Sequence, residues 1–213
     1  MIQILVYGDS LTWGIVPGTR ERLPFAARWP GVMEAELANT GQVVRVIEDA
    51  LNGRRTVWDD PFKPGRNGLI GLEQRVEASS PLPLVIVMLG INDFQSVHHY
   101  TVSHSAQGIA ALVGAIRRAP IEPGMPTPEI LVVAPPPAQE SKGSMAAKFA
   151  GAADKCAGLA DCYRQVAVEL NCHFLDAGLI VTTSAIDGVH LDADQHLRLG
   201  RAIAPVVATV LSR

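Results

Sequence analysis

The sequence predicts a layered α/β fold around a parallel sheet, and three observations support this prediction. Short apolar runs rich in β-branched residues recur along the 213 residues, and segments with helical spacing lie between them. The apolar runs are nearly continuous, as expected for strands buried on both faces of a parallel sheet. Strands that alternate with helices indicate βαβ units with right-handed crossovers.

Five segments are predicted to be strands. They are Ile2–Tyr7, Val43–Ile47, Leu84–Leu89, Ile130–Val133 and the weaker His173–Leu175. Four others have apolar residues at helical spacing, and they are Pro30–Ala38, Ser105–Arg118, Ala157–Leu170 and Gln195–Leu211. Three stretches do not fit the alternation: Ile15–Ala27, Asp59–Gly71 and Pro135–Ser144. We expect these stretches to be loops over the carboxyl ends of the strands, where open α/β sheets bind ligands.

The bulk composition limits the class of protein. Hydrophobic residues make up 48% of the chain and charged residues 18%, which excludes a disordered chain. We expect one domain spanning residues 1–213. The net charge of −3 and the absence of a basic run argue against a nucleic-acid partner. No apolar run approaches the roughly 20 residues needed to cross a bilayer.

The cysteines and the amino terminus indicate a compartment. The chain has three cysteines and no Cys-x-x-Cys pair, so we expect reduced thiols. The first ten residues, MIQILVYGDS, have no basic region and no cleavage site of a signal peptide. Both observations favour a cytoplasmic protein.

A polar cluster follows the first predicted strand. Gly8-Asp9-Ser10-Leu11-Thr12 would place the Ser10 hydroxyl at the carboxyl edge of the sheet. Taken alone, the segment is equally typical of a turn that caps a helix, since Ser, Asp and Thr are preferred caps.

Two further clusters follow the next two strands. Asn52-Gly53 is an ordinary turn signal, but Gly53 could offer an unobstructed backbone N–H to an oxyanion. Gly90-Ile91-Asn92-Asp93 could be an Asx-turn, or it could aim the Asn92 amide over the sheet edge as an oxyanion donor.

The fourth cluster, Asp187-Gly188-Val189-His190, precedes the last predicted helix. A surface loop is one interpretation. In the other, His190 faces Ser10 as general base, and Asp187 orients its ring. A nucleophile, a base, an orienting acid and two oxyanion donors on one rim are the complete set of groups for acyl transfer.

These four blocks resemble those of the SGNH (GDSL-type) hydrolase family. The matching segments are GDSLTWG, the Gly after Asn52, GIND and DGVH. Longer segments are similar to the bacterial arylesterase and acyltransferase branch, namely YGDSLTWG, RWPGV, VIVMLGINDF, ILVVAPPP and FLDAG. The resemblance covers most of the chain outside the loops.

The resemblance implies a flavodoxin-like three-layer α/β/α sandwich with a central parallel sheet of about five strands. It implies a catalytic triad of Ser10, Asp187 and His190. It also implies an oxyanion hole formed by the backbone N–H groups of Ser10 and Gly53 and the side chain of Asn92. The branch forms homo-oligomers, so the resemblance implies self-association.

Some residues near the blocks carry weaker predictions. Trp13 and Phe94 are predicted to line the substrate pocket, although either could be a core aromatic. Arg54 and Arg55 could attract an acidic substrate, but we expect a solvated turn. A group of three histidines, His98, His99 and His104, has no Cys, Asp or Glu at ligand-like spacing, so we expect no metal. No cofactor is expected.

The predicted function is therefore hydrolysis of short-chain acyl or aryl carboxylic esters through an acyl-enzyme on Ser10, with possible acyl transfer to alcohols. A thioesterase, a lysophospholipase and a carbohydrate acetyl esterase use the same groups and stay open as alternatives. A non-catalytic domain that binds acyl groups or glycans is the alternative from another class. The expected partner is a small ester, without nucleic acid or membrane.

Overall fold

The computed structural model describes residues 2–212, and these form a five-stranded sheet. The strands are β1 (Ile2–Gly8), β2 (Val44–Ala50), β3 (Leu84–Met88), β4 (Glu129–Ala134) and β5 (His173–Asp176). They lie in the order β2-β1-β3-β4-β5, and every neighbouring pair is parallel. The predicted α/β fold with a central parallel sheet is confirmed.

Helices surround this sheet in two groups. Their bounds are α1 (Ser10–Trp13), α2 (Trp29–Asn39), α3 (Leu72–Ser79), α4 (Val102–Arg118), α5 (Ala152–Lys155), α6 (Leu159–Glu169) and α7 (Ala193–Leu211). Helices α2 and α7 pack against each other, while α4 packs against both α3 and α6. No helix in residues 2–212 is both long and apolar enough to span a bilayer.

The strand register brings the site to one edge. Gly8, the last residue of β1, is aligned with Ala50 of β2 and Met88 of β3. The segments that leave these three strands therefore start at the same level. The chain crosses from β1 to β2 on one side and returns to β3 on the other, so a crevice opens between the loops that follow β1 and β3.

The edge strand β2 continues three residues beyond the predicted end at Ile47. Its last residues include Glu48 and Asp49, whose polarity hides the strand from a search for apolar runs. These carboxylates are paired: Arg28 lies 2.9 Å from Glu48, and Arg54 lies 2.7 Å from Asp49. A strand at the edge of the sheet tolerates such residues because one side of it is not covered by another strand.

Two other predictions change in detail. The helix predicted over residues 157–170 is α6, which begins two residues later because Gly158, the residue before it, adopts a φ of +82° that favours glycine. The short helix α5, which precedes this span, was not predicted. Helix α3 was not predicted, because only Leu72 and Val76 of its eight residues are buried.

Candidate active site

Ser10 lies where β1 passes into α1. Asp9 caps this short helix, and its Oδ1 accepts a hydrogen bond of 2.9 Å from the backbone N–H of Leu11. The Ser10 side chain opens into a narrow cleft at the carboxyl edge of the sheet. This cleft, defined by Ser10, Gly53, Asn92 and His190, is called the serine cleft below.

His190 is held by Asp187 through a short local segment. The His190 Nδ1 lies 2.7 Å from the Asp187 Oδ2. The other carboxylate oxygen, Oδ1, accepts the backbone N–H groups of Val189 at 3.0 Å and His190 at 2.9 Å. Burial alone would raise the pKa of Asp187, but these hydrogen bonds outweigh it and lower the pKa to about 2. Asp187 is therefore an anion beside the imidazole across the neutral pH range.

Ser10 and His190 line the same cleft although 180 residues separate them, as their numbers show. Within residues 2–212, no hydrogen bond joins the Ser10 hydroxyl to the imidazole. Such bonds are commonly long in the free state and tighten when substrate binds. The structure thus brings the two groups to one cleft.

Gly53 reaches the serine cleft from the loop after β2. Its φ of +83° lies in the left-handed region, and an added Cβ would meet no atom closer than 4.0 Å. Backbone strain rather than space therefore demands glycine at this position. The next residue anchors the loop, because the Arg54 guanidinium donates to the carbonyl oxygens of Gly8 at 3.0 Å and Asp49 at 2.7 Å.

Asn92 lies in a single turn of 3-10 helix, Ile91–Phe94, that follows β3. Its Nδ2 donates to Asp9 Oδ2 at 2.8 Å and to the Arg54 carbonyl oxygen at 3.1 Å. Its Oδ1 accepts from Gln95 Nε2 at 2.8 Å. The amide is thus fixed on both sides, and an oxyanion would have to share one of its two N–H bonds.

Arg55 is the centre of a buried network behind Asn92. The side chain is fully buried, which corrects the expectation of a solvated turn at Arg54 and Arg55. Its guanidinium donates to the Asn92 carbonyl oxygen at 3.2 Å, Asp60 Oδ2 at 3.1 Å and Gln95 Oε1 at 2.7 Å. A buried charge is tolerated only when it is paired and hydrogen-bonded in this way.

Asp93 fastens the same turn to the core. Its carboxylate accepts the Thr56 hydroxyl at 2.7 Å, the Thr56 backbone N–H at 3.0 Å and the Ser105 hydroxyl at 2.7 Å. Burial raises the pKa of Asp93, and these donors limit the rise. The residue after Asn92 is therefore a structural anchor for the turn.

Asp9 connects the two sides of the serine cleft. It is fully buried, and burial raises its pKa to about 6 against the opposing effects of the Leu11 N–H, the His190 charge and the Asn92 amide. Its carboxylate contacts the helix that carries Ser10 and the amide of Asn92. The elements that carry Ser10 and Asn92 thus share contacts with one titratable group.

The two predicted aromatic pocket residues lie outside the serine cleft. Phe94 is fully buried in the hydrophobic core, so packing accounts for it rather than contact with substrate. Trp13 lies against Arg22, whose guanidinium carbon is 4.6 Å from the ring centre. Other residues line the cleft that were not predicted, among them Ile15, Arg20, Lys63, Met145, Lys148 and Phe149. Their segments carry no motif, and only the folded chain brings them together.

The structure shows no group of three or more His, Cys, Asp and Glu side chains suited to a metal among residues 2–212. In that range the three cysteines are unbridged, with Cys156 buried and Cys162 and Cys172 partly buried.

Comparison with known proteins identifies the family. A model of the GDSL-like lipase/acylhydrolase family matches residues 6–202, so the chain belongs to this family. The resemblance seen in the motifs is confirmed. Membership of an acylhydrolase family makes the chain a carboxylic ester hydrolase, as predicted.

Three proteins illustrate the sequence and structural similarity of the chain to known relatives. An arylesterase from Vibrio mimicus is 33% identical over 91 residues, a match that covers 43% of this chain and 38% of that relative. A carbohydrate acetylesterase family member from Sinorhizobium meliloti superposes with a TM-score of 0.93 at 40% identity, covering 100% of both chains. The inhibitor-bound M. smegmatis aryl esterase gives a TM-score of 0.93 at 34% identity, covering 99% of this chain and 100% of that one.

Proposed function

We propose that the chain is a serine esterase that hydrolyses short-chain acyl or aryl carboxylic esters through an acyl-enzyme on Ser10. The observation that carries the proposal is the shared serine cleft, which Ser10 and the Asp187-bound His190 both line. Ser10 Oγ attacks the ester carbonyl carbon, and His190 Nε2 takes the hydroxyl proton. Asp187 keeps the Nδ1 proton in place and stabilises the imidazolium.

Collapse of the tetrahedral intermediate breaks the bond to the alcohol. His190 gives its proton to the departing oxygen, and the acyl group stays on Ser10. Water then attacks the acyl-enzyme with His190 as base, and the carboxylic acid and free Ser10 are released. A second alcohol in place of water gives acyl transfer by the same steps, and we include this activity in the proposal.

The oxyanion of each intermediate is stabilised by the backbone N–H groups of Ser10 and Gly53 and by the Asn92 amide. Asn92 provides the N–H that now contacts the Arg54 carbonyl oxygen at 3.1 Å, the longer of its two bonds. One such donor is worth about 3–4 kcal/mol of transition-state stabilisation. The Asp9 and Gln95 contacts hold the amide in place, so little reorganisation is needed at the moment of reaction.

The size of the serine cleft supports a short acyl group. The volume within this cleft that the centre of a water-sized sphere can occupy is about 40 Å³. One water needs about 10–15 Å³ on that measure, so the cleft has room for only a few heavy atoms, such as an acetyl group.

Substitution of the nucleophile tests the proposal. Ser10→Ala should abolish hydrolysis of p-nitrophenyl acetate while the circular dichroism spectrum and melting temperature persist. Ser103→Ala, at an exposed serine of α4, is the matched control and should hydrolyse the ester at the wild-type rate. Undiminished turnover by Ser10→Ala would refute the nucleophile assignment.

A carbohydrate acetyl esterase is the second candidate, favoured by the small cleft and by the full-length similarity to the Sinorhizobium meliloti protein. The same small cleft disfavours long acyl thioesters and lysophospholipids. Initial rates on aryl acetates, acetylated sugars and long-chain acyl thioesters separate these activities. Labelling of Ser10 by a fluorophosphonate probe separates all of them from a non-catalytic binding domain.

The cellular compartment, the substrate class and the oligomeric state of the enzyme are also proposals. We place it in the cytoplasm, supported by three unbridged cysteines within residues 2–212, and we infer a small ester as its only substrate class. Self-association into a homo-oligomer is supported by large exposed apolar side chains such as Ile70 and Leu179. Size-exclusion chromatography with light scattering tests the oligomeric state.

A further inference from the structure

Three cationic side chains line the serine cleft together with Ser10 and His190. They are Arg20, Lys63 and Lys148, which come from three different loops. The cleft lining contains no carboxylate among the residues that the structure describes. This concentration of positive charge stands in a chain whose net charge is −3.

Among the residues that the structure describes, the three cations have no ion-pair partner. Within residues 2–212, no carboxylate oxygen lies within 4.0 Å of the charged groups of Arg20, Lys63 or Lys148. The nearby carboxylate is Asp60, but its Oδ2 is engaged by the buried Arg55 at 3.1 Å. Its Oδ1 accepts the backbone N–H groups of Phe62 at 2.9 Å and Lys63 at 3.1 Å. The charge at the cleft is therefore not neutralised internally.

The cations also act on one another. Burial, followed by the repulsion of Arg66 and Arg20, lowers the pKa of Lys63. Burial and the repulsion of Lys63, Arg55 and Arg20 lower the pKa of Lys148, while Asp60 opposes the change. Like charges that line one cleft repel one another, and a bound anion would relieve that repulsion.

A second, wider groove continues from the serine cleft. It has a volume of about 510 Å³, and Lys63 and Lys148 line both cavities. Besides the two lysines it is lined by the apolar Phe62, Val97 and Ala147 and by the polar Asp60, Gln95 and Ser96. A small acyl group at Ser10 thus leaves a path for a larger alcohol portion to pass between the lysines into the groove.

We propose that Arg20, Lys63 and Lys148 select esters whose alcohol portion carries an anionic group close to the scissile bond. The acyl group occupies the serine cleft, the anion lies between the lysines, and the apolar part of the alcohol lies in the groove. Carboxylate and phosphate are both anions, so the three cations would bind either group. The substrate class is therefore an anionic ester with a short acyl group. The inference rests on the proposed esterase function and adds the substrate class to it.

Three aryl acetates of similar shape test the proposal. They are 3-acetoxybenzoate, which is anionic, 3-acetoxybenzamide, which is neutral, and 3-acetoxy-N,N,N-trimethylanilinium, which is cationic. The readout is the kcat/KM of each charged ester divided by that of the neutral one. Because these quotients are compared between enzyme variants, differences in the intrinsic reactivity of the esters cancel.

Single substitutions Arg20→Gln, Lys63→Gln and Lys148→Gln should each lower the anionic-to-neutral quotient about two- to fivefold, the range of an exposed ion pair. The triple variant should lower it by about tenfold or more, and the cationic-to-neutral quotient should rise. In the wild type, about 0.5 M NaCl should also reduce the preference for the anion, because salt screens exposed charges. A purely structural role of these residues would not move the two quotients in opposite directions.

The matched control is Arg45→Gln/Arg118→Gln/Arg201→Gln. It removes the same charge from exposed positions outside both cavities, and its quotients should equal those of the wild type. If the triple variant does not fold, the single variants and the salt series carry the test. Quotients that match between the cleft variants and the control overturn the anion proposal and leave the esterase intact. No turnover of any of the three acetates by the wild type would instead count against the proposed function itself.

Discussion

The Asp187–His190 segment and the Asn92 turn face the same cleft, but the contacts that hold them have different ranges in the sequence. Asp187 and His190 are three residues apart, and two of the three backbone N–H groups that Asp187 accepts come from the same segment. The third, from Gly18, is the longest at 3.4 Å. Asn92 is held by Asp9, which is 83 residues away, and by the Arg54 carbonyl, which is 38 residues away.

The difference separates two kinds of damage. A change at Asp187 removes a group of the proposed triad, and most of the donors that it leaves without an acceptor lie in the same short segment. A change in the network around Asn92 leaves buried polar atoms unsatisfied, which costs stability as well as activity. The predictions below use this contrast, from the largest expected effect to the smallest.

Asp187→Asn should give the largest effect on activity, and it should also lower the stability by about 2 kcal/mol at neutral pH, because the lowered pKa of Asp187 stabilises the folded state. The amide cannot hold the productive imidazole tautomer or stabilise its charged form, so kcat should fall by roughly 10⁴-fold. The assay is steady-state hydrolysis of p-nitrophenyl acetate well below the melting temperature of the variant, with circular dichroism to show that the variant is folded. A kcat within tenfold of the wild type would show that the carboxylate is not part of the catalytic machinery.

Arg55→Met should give the largest loss of stability. It removes the guanidinium that donates to Asp60 and Gln95. Breaking a buried ion pair in this way typically lowers the free energy of unfolding by about 3–5 kcal/mol. Urea unfolding measures the loss. Arg45→Met at an exposed position is the matched control and should change the free energy of unfolding by about 0.5 kcal/mol or less. Equal stabilities of the two variants would contradict the role assigned to the network.

Asn92→Ala should affect both properties. Removal of the oxyanion donor should lower kcat by about 10²–10³-fold. Loss of the amide also leaves the Asp9 Oδ2 and the Gln95 Nε2 without this partner, at a cost of about 1–3 kcal/mol. Asn39→Ala, at the exposed end of α2, is the control for both measurements. An unchanged kcat in Asn92→Ala would remove the side chain from the oxyanion hole.

Asp187 and Asp9 should change stability with pH in opposite directions. The pKa of Asp187 is lowered from 3.8 to about 2, so its ionisation stabilises the folded state above pH 4 by about 2 kcal/mol. That contribution is lost as the pH falls from 4 to 2. The pKa of Asp9 is raised from 3.8 to about 6, so protonation of Asp9 favours the folded state by about 3 kcal/mol below pH 4. That contribution is lost as the pH rises from 4 to 6.

Urea unfolding of the wild type, Asp187→Asn and Asp9→Asn between pH 2.5 and 7 tests these signs. The stability of the wild type relative to Asp187→Asn should rise with pH, and its stability relative to Asp9→Asn should fall. Parallel curves for the three proteins would show that neither carboxylate has a shifted pKa.

The sequence predicted what local signals encode. Apolar runs located the five strands, and the Asp187–His190 spacing is visible because three residues place both side chains on one turn. The end of β2 at Glu48 and Asp49 was missed because its polarity is compensated by arginines from other segments. For the same reason, Arg55 looked solvated, although its partners Asp60 and Gln95 bury it completely.

Local sequence patterns also could not predict which residues line the serine cleft. Arg20, Lys63 and Lys148 lie in loops without periodicity, and each is an ordinary surface residue in its own segment. Their meeting depends on how three loops fold over the sheet. Phe94 illustrates the converse, since its position beside Asn92 suggested the pocket, but its ring packs inward.

The order of the strands has a bearing on how such enzymes diversify. The opening beside Ser10 arises because the chain leaves β1 toward one side and comes back on the other, a property of backbone connectivity rather than of any side chain. Insertions and replacements in the surrounding segments can therefore reshape what enters, while the scaffold that aligns the reacting atoms is inherited unchanged. New specificities within this architecture should be reachable by grafting surface segments, with the hydrophobic core around the sheet left unchanged.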